Sequence, residues 1–99
     1  MDRIEFNKTA DTIAQAYGTN KRKLFERSKK QHIVQPRHLL WYVCGKNGIP
    51  NAYIEAFTEE NGLKVKHSTI IRGISRAEKI IKSNDRVRNL SESLIKSNQ

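Results

Sequence analysis

Residues 66–82 read KHSTIIRGISRAEKIIK, and the spacing of their apolar residues decides the fold class. Apolar residues recur here at intervals of three and four, which is the period of one face of an α-helix. That face comprises Ile70, Ile71, Ile74, Ala77, Ile80 and Ile81. The opposite face comprises Arg72, Ser75, Arg76 and Lys79. The stretch therefore predicts a helix with one side in a hydrophobic core and the other side basic.

Two further long helices are predicted upstream, each starting at a proline. Proline fits the first turn of a helix and disrupts its interior, so Pro36 and Pro50 are expected to mark helix starts. Residues 35–46 are apolar nearly all round and predict the central buried helix. Residues 50–61 predict a shorter helix that ends at Gly62.

The N-terminal part of the chain predicts a short amphipathic helix. Residues 8–17 have helical spacing of their apolar side chains. Thr9 or Asp11 is expected to cap this helix, because short polar side chains accept hydrogen bonds from free backbone N–H groups. Gly18 is expected to end it. Residues 24–25 are apolar and predict one more short turn.

The last segment completes an all-α fold in one domain spanning residues 1–99. Residues 83–99 predict a C-terminal helix capped by Ser83 or Asn84. We find no convincing alternation of apolar and polar residues of the kind that marks a half-buried strand. Large apolar residues of the three long helices are expected to hold the core together: Leu40, Val43, Phe57, Ile70, Ile71, Ile74 and Ile80.

Basic residues are concentrated in two segments of the chain. The 99 residues include 19 lysines and arginines against 10 acidic residues, which gives a formal net charge of +9. Residues 21–37 carry seven basic residues against Glu26, and residues 64–82 carry six against Glu78. A fold that brings both segments to one face would create a surface for phosphate groups. Two separately solvated faces are the alternative.

Other classes of site have little support in the sequence. Cys44 is the only cysteine and lies in an apolar run, which predicts a buried structural thiol. Cys44 and the three histidines lack metal-site spacings such as CxxC or HExxH. No paired carboxylates lie in an apolar setting, so we expect no enzyme activity, no metal and no cofactor.

The apolar runs and the first residues of the chain indicate where in the cell the protein is expected. No run of 18 apolar residues is present, so no membrane span is expected. The first residues lack the long apolar stretch of a signal peptide. We therefore expect a cytoplasmic protein.

The helices predicted over 50–61 and 66–82 are joined by a short turn, as in a helix-turn-helix. In that motif the first residues of the second helix enter the major groove of DNA. Here those residues are His67, Ser68 and Thr69, and each can donate or accept a hydrogen bond toward a base edge. Ordinary helix capping by Ser68 or Thr69 is the alternative.

Three stretches carry a resemblance to a known family. They are SKKQHIVQPRHLLWYV (28–43), IPNAYIEAF (49–57) and NGLKVKHSTII (61–71). In this order and spacing they resemble the C-terminal DNA-binding domain of the bacterial replication initiator DnaA, with residues 8–82 as the family-like core. The resemblance implies a compact helical domain with a helix-turn-helix core, as in the Trp repressor. It also implies binding to double-stranded DNA, in replication initiation or its regulation.

The resemblance and the charge pattern together predict the contacts with DNA. The side chains expected to face bases are Lys66, His67, Ser68, Thr69 and His38. The side chains expected to contact phosphate or enter the minor groove are Arg27, Lys29, Lys30, Arg37, Arg72 and Arg76.

The chain also departs from the family pattern. The aspartate that precedes the family's histidine is Lys66 here, and lysine cannot accept a hydrogen bond from a base. We therefore expect a specificity different from that for the usual initiator box. No GxxxxGK[ST] phosphate loop occurs, so no ATPase activity is expected. The length is typical of a stand-alone domain, as in a phage or mobile element, or of a piece of a longer protein.

Two other functions stay open at this point. The chain could be a protein-interaction or decoy module that docks a replication protein through its basic residues. Alternatively, it could bind RNA through the basic segment 21–30, where Phe25 is the one aromatic residue beside basic residues that could stack on a base.

Overall fold

Six helices make up the part of the chain that the computed structural model describes, residues 2–96. They are α1 (Arg3–Ala16), α2 (Lys21–Leu24), α3 (Gln31–Lys46), α4 (Asn51–Glu60), α5 (His67–Ser83) and α6 (Asp85–Leu94). No β-strand occurs within these residues. The all-α class predicted from the sequence is therefore confirmed.

Helix α1 begins five residues before its predicted start. Asp2 is the N-cap, and its carboxylate accepts a hydrogen bond from the backbone N–H of Glu5 at 2.9 Å. The prediction of Thr9 or Asp11 as the cap was wrong, because both lie within the helix. The buried ring of Phe6 lies on the core side of this first turn, so the amphipathic period extends upstream of residue 8.

Helix α3 begins at Gln31, so the prediction that Pro36 starts it was wrong. Pro36 lies in the second turn of a continuous helix. A proline there removes one hydrogen bond, the one to the carbonyl of His32. His32 is exposed, so water can reach this part of the first turn. Burial of Ile33 against the rest of the molecule extends the apolar side of α3 ahead of the proline.

Three helices end in the same glycine turn, which the sequence predicted for α1 and α4. Gly18, Gly48 and Gly62 each follow the C-cap with positive φ, at 73°, 88° and 108°. After α4, the N–H of Gly62 donates to the carbonyl of Glu59, and the N–H of Leu63 donates to that of Thr58. This turn places the side chain of Leu63 in the core and fixes where the chain runs toward α5.

Helix α3 lies at the centre of the molecule and packs against α1, α2, α4, α5 and α6. The predicted core residues Leu40, Val43 and Ile70 are fully buried. The half-buried members of the predicted core are Phe57, Ile74 and Ile80. Burial of Cys44 raises the pKa of its thiol to about 12, in accord with the predicted structural role.

One predicted core residue is on the surface. Ile71 is 50% exposed. The buried positions of α5 are Ile70, Gly73 and Ala77, and successive residues on a helix are about 100° apart. The side chain of Ile71 is therefore rotated away from the core, next to an isoleucine that lies within it.

Close contact between α3 and α5 sets the rotation of α5. A Cβ atom added to Gly73 would lie 2.7 Å from His38 Cδ2 and 2.7 Å from Trp41 Cε3. The two aromatic rings therefore pack directly against the backbone of α5. Trp41 Nε1–H donates to Thr58 Oγ1 at 3.1 Å, which ties the same ring to α4. Helix α5 is held by this contact with its basic side outward.

Helix α6 packs against α5, and Arg88 Nη1–H donates to the carbonyl of Ile81 near the end of α5. Asn84 caps α6 by accepting from the backbone N–H of Val87 at 3.1 Å, as predicted. The helix ends at Leu94, whose carbonyl accepts from Asn47 Nδ2. The predicted C-terminal helix extended to residue 99, and positions 97–99 lie outside the described residues. Within residues 2–96, no helix is both long and apolar enough to span a membrane.

Candidate nucleic-acid interface

The loop between α2 and α3, residues 25–30, is held from beneath by Arg37. Arg37 Nε–H donates to the carbonyl of Leu24 at 2.9 Å, and Nη2–H donates to that of Glu26 at 2.5 Å. The residue is only 7% exposed. The predicted phosphate contact from Arg37 is therefore corrected, because its guanidinium is buried and occupied in holding the loop.

A second arginine joins this loop to the segment that leads into α5. Arg27 is exposed, and its Nη2–H donates to the carbonyl of Lys64 at 3.0 Å. The two segments line an open groove of about 520 Å³. Its residues are Arg27, Ser28, Lys29, Arg37, Leu63, Lys64, Val65, Lys66 and Thr69. Parts of the two basic segments, residues 27–29 and 64–66, thus lie side by side at the start of α5.

Two arginines, Arg37 on α3 and Arg76 on α5, place positive charge near His38. Its pKa is lowered from 6.5 to about 4, chiefly by burial and further by the positive charges of Arg76 and Arg37. The pKa of Arg37 is lowered by burial and by the charge of Arg27. The predicted base contact from His38 is corrected, because the ring is buried beneath α5 against Trp41 and Gly73.

This positive charge has no carboxylate partner in the described part of the chain. The ion pairs within residues 2–96 are Arg3–Glu60, Arg88–Asp85 and Lys96–Glu5, and Glu55 lies near His67. None of them includes Arg27, Lys29, Lys64, Lys66 or Arg76. Like charges held close together without counter-charges oppose folding, and a polyanion bound over the groove would offset that repulsion.

The first turn of α5 carries polar side chains that do not cap it. Lys66 is the N-cap residue and makes no side-chain cap bond. Its carbonyl accepts from the backbone N–H groups of Thr69 and Ile70. His67 and Ser68 are exposed, and Thr69 is half-buried in the wall of the groove. The capping alternative therefore fails for Ser68 and Thr69.

His67 lies where α4 and α5 meet. Its Nδ1 atom is 3.8 Å from Glu55 Oε1, beyond the range of a direct hydrogen bond. Both side chains are exposed. Glu55 therefore lies on the Nδ1 side of the imidazole.

The outward face of α5 extends the polar surface beyond its first turn. The exposed residues of this face are Ser68, Ile71, Arg72, Ser75, Arg76, Lys79 and Lys82. Sequence reasoning missed Ile71, Ser75 and Lys64 as site residues. The sequence already placed Ser75 on the basic face of the helix. A helical projection centred on the buried Gly73 and Ala77 would have put it at the middle of that face, in line with Ser68 seven residues earlier. Lys64 has no signal besides its charge.

Three further observations concern Phe25, Lys30 and possible metal ligands. Phe25 is buried with its ring centroid 6.1 Å from that of Phe6, so it cannot stack on a base. Lys30, by contrast, is exposed beside the groove, where its backbone N–H donates to Ser28 Oγ. Within residues 2–96, no three His, Cys, Asp or Glu side chains lie together as a metal site would need.

Comparison of the chain with protein-family models, curated proteins and solved structures gives no match. The resemblance to the initiator domain therefore rests on the three quoted stretches of sequence.

Proposed function

We propose that this protein binds double-stranded DNA through a helix-turn-helix formed by α4 and α5. One observation carries the proposal: the basic loop at Arg27 and the lead into α5 at Lys64 line one groove, and the charge of that groove has no carboxylate partner within residues 2–96. Duplex DNA presents phosphates along both edges of its major groove, so a helix entering it needs positive charge beside its first turn.

In this arrangement α5 is the helix that enters the major groove. The side chains facing base edges are Lys66, His67, Ser68 and Thr69. The side chains contacting phosphates are Arg27, Lys29, Lys30, Arg72 and Arg76. The connection between α4 and α5, residues 61–66, is longer than the turn of roughly three to four residues in common helix-turn-helix motifs. A tight turn therefore does not fix the orientation of α5 relative to α4. The packing of Gly73 against α3 holds α5 in its orientation instead.

The proposed place of the protein is in replication initiation or its regulation, by similarity to the initiator domain. Its specificity differs from that of the initiator, because Lys66 stands where the family has an aspartate. A lysine donates to acceptors such as guanine O6 and N7, whereas a carboxylate accepts from cytosine N4. Tight and selective binding to the usual initiator box in a gel-shift assay would contradict this difference.

The experiment that tests DNA binding is fluorescence polarisation with a labelled random-sequence duplex over a series of salt concentrations. We expect the logarithm of the affinity to fall linearly with that of the salt concentration. Lys29→Ala with Lys30→Ala should weaken binding to all duplexes alike, and the slope should become shallower by roughly one for each phosphate that is no longer neutralised. Lys8→Ala with Lys46→Ala, which also removes two exposed lysines but none that lines the groove, is the matched control and should leave the slope unchanged.

The alternatives predict different results in the same assay. A module that docks an acidic protein would show no binding to duplex DNA even at low salt. An RNA-binding protein would release the labelled duplex when unlabelled RNA is added at equal concentration. Either outcome would overturn the proposed function.

A further inference from the structure

Ile71 is the only large apolar side chain of α5 that the structure leaves exposed. It is 50% exposed and does not belong to the core cluster or to the residues packed against it. The other exposed large apolar residues within positions 2–96 are Ile4 on α1 and Tyr53 on α4. Folding gains little from Ile71, since its apolar surface stays partly in water and a β-branched residue is a weaker helix former than alanine.

The neighbours of Ile71 on the helix surface are short or flat. His67 lies four residues before it, Ser68 three before it and Ser75 four after it, so all three adjoin it on the same face. Arg72 begins the basic side of this face. A surface brought against α5 can therefore touch the isoleucine side chain, while the longer basic side chains reach past it on one side.

We propose that Ile71 reads thymine in the bound DNA by packing against its 5-methyl group. This inference rests on the proposed function. The major groove has one apolar group on its floor, the thymine methyl, and otherwise presents hydrogen-bonding atoms. The exposed charged residues of α5 after Ile71 are Arg72, Arg76, Lys79 and Lys82 against Glu78 alone. This excess of positive charge favours a nucleic acid over an apolar protein surface as the occupant. Duplex RNA does not fit, because uracil lacks the methyl and the A-form major groove is too narrow for side chains to read.

The position of Ile71 also places the thymine relative to the other contacts. Four residues along a helix advance it by about 6 Å. Base pairs are stacked at about 3.4 Å. For a helix lying along the groove, the thymine should then be about two base pairs from the pair that His67 faces.

The expected size of the effect follows from the burial of one methyl group. Its transfer from water to an apolar contact corresponds to about a fourfold change in Kd. Ile71→Ala should not disturb folding, because the side chain is exposed and alanine favours helix.

The test combines a change in the protein with a change in the DNA. A binding site is first selected from a random duplex library with the wild-type protein. Each thymine of that site is then replaced singly by deoxyuridine, which removes the methyl and keeps the hydrogen-bonding edge. Affinities are measured for the wild type, Ile71→Ala and the matched control Ile4→Ala, an equal change at an isoleucine that is 66% exposed on α1.

We expect one thymine position at which deoxyuridine weakens wild-type binding about fourfold. Ile71→Ala should bind the thymine-containing site about as weakly as the wild type binds the deoxyuridine-containing site. This variant should no longer distinguish thymine from deoxyuridine at that position, whereas Ile4→Ala should behave as the wild type. The inference is overturned if a site is selected and bound but no thymine responds, or if Ile71→Ala keeps the discrimination. Failure to bind any duplex would overturn the proposed function itself.

Discussion

Acidification should destabilise the native protein through one buried imidazole. The ring of His38 lies between α3 and α5, 8% exposed, with its centroid 5.6 Å from that of Trp41. Arg37 and Arg76 add positive charge around it. Burial and these charges lower its pKa from 6.5 to about 4, so the folded protein keeps His38 neutral where an unfolded chain would protonate it.

The size of the effect follows from that difference in pKa. Between pH 6.5 and about 4 the unfolded state binds a proton that the native state does not. The free energy of unfolding therefore falls as the pH falls through this window, and His38 contributes no pH dependence above it. The full loss is about 3 kcal/mol, at about 1.4 kcal/mol per pKa unit. This is a large part of the roughly 5–15 kcal/mol that stabilises a typical domain.

The assay is urea unfolding followed by the fluorescence of Trp41, the only tryptophan, from neutral pH to about pH 4. The comparison is between the wild type, His38→Gln and His32→Gln. The last makes the same change at an exposed histidine of α3 and should keep the wild-type pH dependence. In His38→Gln, the contribution of His38 to the pH dependence of the free energy of unfolding should disappear. The contribution of the carboxylates should be the same in all three proteins. Equal losses of stability in the wild type and His38→Gln would refute the reasoning.

Three further predictions address packing and recognition. Gly73→Ala should lower the free energy of unfolding by about 1–3 kcal/mol, because the new Cβ would lie 2.7 Å from the rings of His38 and Trp41. Thermal melts of both variants would compare it with Gly45→Ala, whose Cβ would meet its nearest side-chain atom at 3.9 Å and which should be neutral or stabilising. Equal losses of stability in the two variants would count against close packing at Gly73. Thr58→Val should cost about 1–3 kcal/mol in urea unfolding, because the buried Trp41 N–H loses its acceptor; an unchanged midpoint would disprove that role. His67→Ala should weaken binding to a selected duplex by about 1–3 kcal/mol and leave random-duplex binding nearly unchanged, whereas an equal loss on both would argue against base readout.

Local features of the fold could be predicted from the sequence. Helix α5 was found within a residue of its ends, because its apolar period is long and regular. The ends of α1 and α4 were found because glycine tolerates the positive φ that follows a helix. The starts of α1 and α3 were missed. The first turns of these helices contribute Phe6 and Ile33 to the buried part of the molecule, and their apolar period is clear only once that burial is known.

The candidate site depends more strongly on long-range packing. Arg37 and His38 resembled surface residues in the sequence, but carbonyls of the preceding loop and the backbone of α5 bury them. Adjacent isoleucines at 70 and 71 are indistinguishable by composition. Their different exposure follows from the rotation of α5, which the packing of Gly73 against α3 sets. Charge alone predicted that two basic segments could share a face, while the hydrogen bond from Arg27 joins them.

The most direct test of DNA binding by α5 is an NMR titration of the ¹⁵N-labelled protein with a short duplex. We expect the backbone amide signals of two stretches to shift: residues 27–30, and residues 64–76 on the outward side of α5. The signals around Ile4 and Tyr53, on exposed parts of α1 and α4, should stay in place. Shifts centred on Ile4 and Tyr53, or no shifts at low salt, would contradict the account.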